Sequence, residues 1–110
     1  MPIDFPFGNA DVQSFAPQAT VNLVVRNMYT RFNASAPMAA NMTVNMAIEG
    51  QIRTGARVVL RAASDGTARS ITPGTGCQGT VEAGVISKTK ELEFEYNGSA
   101  FVLLSARQID

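Results

Sequence analysis

From Ala19 onward, apolar and polar residues alternate with the spacing of a half-buried β-strand. Val21, Leu23 and Val25 alternate with Thr20, Asn22, Val24 and Arg26, which predicts a strand over residues 20–26. Residues 28–32 either continue that strand or pair beside it, and residues 33–37 read as loop. Met42, Val44, Met46 and Ile48 then share one face, with Asn41, Thr43, Asn45 and Glu49 on the other. A helix over residues 37–50 competes, because Met and Ala are good helix formers. The apolar spacing of two throughout favours the strand.

The second half of the chain reads as hairpins. Residues 57–63 form a strand, Asp65-Gly66 offers the pair of a type I′ turn, and residues 67–72 return until Pro73. That loop pairs Ser64 with Thr67 and sets Leu60 against Ile71. Residues 74–79 are loop, and residues 81–86 a short strand or edge. In residues 90–96, Leu92, Phe94 and Tyr96 lie on one face and Glu91, Glu93 and Glu95 on the other. Asn97-Gly98 is the preferred type I′ pair. Counting outward from it sets Phe94 opposite Phe101 and Leu92 opposite Leu103. A slip by one residue would turn the Glu row into the core, so the pattern specifies the register. Val102 and Leu104 fall on the Glu face, and apolar residues there suit a subunit contact.

These segments predict an all-β fold: an antiparallel β-sandwich, jelly-roll-like or barrel-like, of about seven or eight short strands. The core would be Val44, Met46, Ile48, Leu60, Ile71, Leu92, Phe94, Phe101 and Leu103. Residues 1–18 stand apart from this domain of residues 19–110. They hold Pro2, Pro6 and Pro17 with Phe5, Phe7 and Phe15, and show no period over their length. Proline fixes φ and removes donors, so the stretch should be an extended arm. Disordered tails are poor in aromatics, so three Phe point to an arm that docks, on its own fold or on a neighbour.

Composition narrows the chemistry. The 110 residues suffice for one domain with a modest core. Nine Lys and Arg balance nine Asp and Glu, which argues against nucleic acid or a membrane surface as partner. The N-terminus lacks the basic start and apolar run of a signal peptide. With no His and a single Cys, Cys77, there is neither a Ser-His-Asp or Cys-His centre nor a disulfide framework. We expect no catalytic residues, no metal and no cofactor.

The apparent motifs have plainer readings. Gly74-Thr75-Gly76-Cys77-Gln78-Gly79 formally matches G-x-G-x-x-G, but strand-like residues follow it where the dinucleotide fingerprint needs a helix. It reads as a flexible β–β loop with an idle or partly buried thiol. Glu91, Glu93 and Glu95, about 7 Å apart along one strand, read as a solvated face that blocks edge aggregation, not a cation site. The arginines are concentrated earlier than the acids, an asymmetry that would allow ion pairs between subunits.

Three stretches carry a resemblance. They are residues 64–76 (Ser-Asp-Gly-Thr-Ala-Arg-Ser-Ile-Thr-Pro-Gly-Thr-Gly), residues 84–90 (Gly-Val-Ile-Ser-Lys-Thr-Lys) and residues 94–101 (Phe-Glu-Tyr-Asn-Gly-Ser-Ala-Phe). Together they resemble a module of tailed-bacteriophage virion proteins, a small β-sandwich of head decoration and fibre proteins. The similarity covers residues 40–110. Cys77 departs from it, standing where an apolar residue follows the G-T-G loop. The resemblance implies a non-enzymatic virion protein, a capsid decoration or minor capsid protein assembled in the host cytoplasm. Its partners would be itself, as a homotrimer, and the major capsid or another virion protein. Phe5, Phe7 and Phe15 would anchor it, and Val102 and Leu104 would be candidate subunit contacts. The alternative is a receptor- or glycan-binding module of a phage fibre, for which Tyr29 and Tyr96 offer little aromatic platform.

Overall fold

In the computed structural model, which describes residues 11–110, the alternating segments become nine strands, with no helix among the described residues. They are β1 (Asp11–Phe15), β2 (Thr20–Val25), β3 (Tyr29–Ala34), β4 (Met42–Ile48), β5 (Arg57–Ala63), β6 (Ile71–Pro73), β7 (Cys77–Gln78), β8 (Thr89–Tyr96) and β9 (Phe101–Gln108). The count exceeds the expected seven or eight, and the membership differs. β1 and the two-residue β7 are added, whereas residues 81–86 form no strand and contribute only a bridge between Glu82 and Ile71. Phe5 and Phe7 lie outside the described residues.

The expected antiparallel arrangement is corrected. A six-stranded sheet, ordered β1-β3-β5-β8-β9-β7, packs with a three-stranded sheet, ordered β2-β4-β6. From β1 to β7 the chain changes sheet at every connection. Strands that end side by side are therefore two apart in sequence, and they run parallel. Parallel neighbours need a crossover, and here each crossover is a strand of the opposite sheet. Among the described strands, only β5–β8 and β8–β9 pair antiparallel. Alternation shows which side of a strand is buried but not its direction, and that is where the sequence reading went astray.

The coil is built on a repeat. Thr20-Val21-Asn22 of β2 lies in register on Thr43-Val44-Asn45 of β4, so like residues stack and Val21 and Val44 both enter the core.

The Asp65-Gly66 hairpin does not form. Asp65 accepts from Thr67 N–H at 3.0 Å and from Arg69 Nε at 2.9 Å, a local side-chain turn. It sends the chain to the other sheet. Both edges of β5 are already taken, by β3 and β8, so Leu60 pairs with Leu92 and Ile71 with Met42.

The second hairpin is present with a longer loop. Asn97 N–H donates to Ala100 O, and Asn97 Oδ1 accepts from the N–H groups of Ser99 and Ala100, both at 2.9 Å. This closes a loop over residues 97–100 with Gly98 at φ +98°. Pairing moves by two residues, to Tyr96 opposite Phe101 and Phe94 opposite Leu103, which keeps every side chain on its expected face. A bulge at Glu93/Phe94 then sets Leu92 opposite Ala106 and Glu91 opposite Arg107.

The core collects Val44, Met46, Leu60, Ile71, Leu92, Phe94 and Phe101 as expected, together with Val25, Phe32, Met38, Met42 and Val58. Leu103 packs against it partly buried. Ile48 does not belong: it ends β4 and is exposed.

Candidate interaction surface

The outer face of the six-stranded sheet is an ion-pair ladder. Strand alternation projects Arg31 from β3, Arg57 and Arg61 from β5, Glu91, Glu93 and Glu95 from β8, and Arg107 from β9. Glu91 receives Arg61 Nη2 and Arg107 Nη2 at 2.6 Å each, and Arg31 Nη2 at 3.5 Å. Arg57 bridges Glu93 at 2.6 Å and Glu95 at 2.8 Å. The Arg61 and Arg107 guanidiniums hold the Glu91 carboxyl down at about 2. Glu91 is itself buried. The three glutamates thus form a neutralised lattice within one chain rather than a bare solvated row. Arg31, Arg57 and Arg61 also find their acids inside the chain. Their charge asymmetry along the sequence is the projection of adjacent strands.

Val102 and Leu104 sit beside this ladder. Val102 pairs with Glu95 on the outer face and is half-buried. Leu104 is the extra residue at the bulge and stays exposed. Phe15 closes β1 and packs against the core.

The G-x-G-x-x-G segment is a staple rather than a flexible loop. Gly74 N–H donates to Val44 O at 2.7 Å, Thr75 N–H to Asn45 Oδ1 at 2.8 Å, and Cys77 N–H to Gly74 O at 3.0 Å. Gly76 O accepts from Phe101 N–H, which joins the segment to β9. The amides of Gly74, Thr75 and Cys77 are thus committed to the protein itself rather than to a phosphate cradle. Gly76, at φ +81°, lies so close to the Met46 carbonyl that a Cβ has no room. Burial pushes the Cys77 thiol up to about 11, so at neutral pH it is not a thiolate nucleophile. Among the described residues, no group of three or more His, Cys, Asp or Glu is placed to hold a metal ion.

The outer face of the three-stranded sheet is uncharged. Thr20, Thr43 and Thr72 form a row across it, and Asn45 Nδ2 donates to Asn22 Oδ1 at 3.1 Å in the next row. A groove of about 280 Å³ beside them is lined by Asn22, Val24, Asn45, Ala47 and Thr75. The Thr-Val-Asn repeat was the available sequence signal for this face, and the strand-by-strand reading missed it. No protein-family model matches the chain, and no curated protein is significantly similar to it.

Proposed function

We propose that the chain is a non-enzymatic structural protein of a tailed-bacteriophage particle, a capsid decoration or minor capsid protein that self-associates. Its N-terminal segment, carrying Phe5 and Phe7, anchors it, and Phe15 fixes the base of that segment to the core. The resemblance of residues 40–110 supports the class. One observation supports the self-associating face: every charge of the ladder has a partner inside the chain, and Val102 and Leu104, with Val12 beside Arg31, are apolar residues on that face. Such a face can meet a second copy without stripping water from unpaired charges.

Light scattering on the full chain tests the association. A mass of three chains that falls to one in the Val102→Asp/Leu104→Asp variant is expected. Mass spectrometry of purified particles from a phage encoding the chain tests the location. A monomeric wild type that is also missing from those particles refutes the proposal. The Thr and Asn rows of the three-stranded sheet favour a second reading, a glycan-binding fibre module. Selective binding on a glycan array that Asn22→Ala/Asn45→Ala abolishes would establish it.

A further inference from the structure

Every charge of the ladder is paired, but the partners are unevenly shared. The guanidiniums of Arg31, Arg61 and Arg107 surround Glu91, so that end of the face holds two positive charges in excess. Glu93 and Glu95 share Arg57, so the other end holds one negative charge in excess. The positive end borders a groove of about 320 Å³, walled by Arg61 and lined by the small apolar residues Ala34, Ala36, Pro37 and Ala63. Ala63 follows Arg61 by two residues on β5 and so shares its outward face. The groove is therefore a socket for an apolar side chain with a cation at its rim.

We propose that this groove receives Leu104 of a second copy, with the Glu93 and Glu95 that accompany it set against Arg31 and Arg61. The inference rests on the proposed self-association and names the surface that the apolar residues of β9 meet.

The two patches complement each other. Leu104 is expelled from the pairing by the bulge and stands 49% exposed, an apolar knob without a slot in its own sheet. Its flanking residues Leu103 and Ser105 pair with Phe94 and Glu93, so the knob comes with the acidic end of the face. The groove offers small apolar walls and the basic end, and opposite excess charges favour that one alignment of two copies. Each charge brings its own partner into the contact, which limits what desolvation costs. A copy cannot fill its own groove. β8 lies between β9 and β5, and two strand spacings, about 10 Å, exceed the reach of a leucine. Knob and groove are different patches of one face, so the contact is heterologous. Each copy gives a knob to one neighbour and takes one from another, the arrangement that closes a ring.

Light scattering on mixed variants tests the contact. Ala63→Glu fills the groove and meets the incoming glutamates with a like charge, whereas Val102→Asp/Leu104→Asp removes the knob. Each variant alone should fall from a mass of three chains to one. An equimolar mixture should return to two, because one variant keeps a working knob and the other a working groove. That mass also shows that both variants are folded. A groove variant that keeps the wild-type mass overturns the proposal and leaves the self-association standing. A mixture that stays at one chain while both variants unfold cooperatively in urea overturns it too. If Ala63→Glu does not fold, Ala36→Glu on the exposed loop takes its place. A wild type of one chain overturns the contact and the self-association together.

Discussion

Replacing Glu91 by Gln removes the centre of the ladder while keeping its shape. Three guanidiniums converge on this carboxylate, which is 8% exposed, whereas Arg61 and Arg107 are 42% and 72% exposed. Holding a carboxyl at about 2 instead of its ordinary 4.5 corresponds to about 3 kcal/mol of folding free energy. Water around the arginines screens the pairs, so we expect a loss of about 2 kcal/mol. Urea unfolding at pH 7 should show it as a midpoint lower by about 1–2 M. The pH dependence carries the sharper test. The folded carboxyl titrates below the unfolded one, so its contribution is complete above about pH 5 and is lost as the pH falls towards 2. Wild type and Glu91→Gln should therefore differ at pH 7 and converge near pH 2. A difference below about 0.5 kcal/mol at pH 7, or one that persists unchanged at pH 2, would refute the reasoning.

Phe94→Ala, at a fully buried position between the sheets, should cost about 3–5 kcal/mol in chemical unfolding; a cost below about 1 kcal/mol would remove Phe94 from the core. Cys77, with its thiol near 11, should present roughly one thiolate in a thousand at pH 8. Its alkylation should be slow in the native protein and fast in urea, and equal rates would contradict its burial. Deleting Leu104 removes the extra residue of the bulge and leaves the pairs on both sides in place. Stability should stay within about 1 kcal/mol of wild type, and loss of cooperative unfolding would show the bulge to be misplaced.

Most strands were legible because one face of each is buried, and burial writes itself into the sequence as alternation. β2, β4, β5 and β8 fall where the period places them. Direction and partnership were not legible, because Val21, Val44 and Ile71 would alternate in the same way in either orientation. Asp65-Gly66 shows the local side of the problem. The pair is a turn signal, but the Asp65 carboxylate uses Thr67 and Arg69 to build a different turn. What decides against the hairpin is the claim of β3 and β8 on both edges of β5, and those strands lie far away in sequence.

The ladder was half legible. The acidic row on β8 and the scattered arginines were both visible, but their meeting depends on parallel pairing of β3 with β5 and on the bulge in β9. The bulge also accounts for Leu104, one of the two apolar residues that the alternation left on the acidic face. Continued without it, the register would turn Ala106 outward opposite Glu91 and bring Arg107 onto the inward face opposite Lys90, away from its acid and against a like charge. One extra residue, Leu104, restores Ala106 to the core and turns Arg107 to Glu91. An exposed leucine beside the ladder is thus the consequence of placing an arginine correctly. Any role of Leu104 in subunit contact builds on a residue that the register already expels from the pairing.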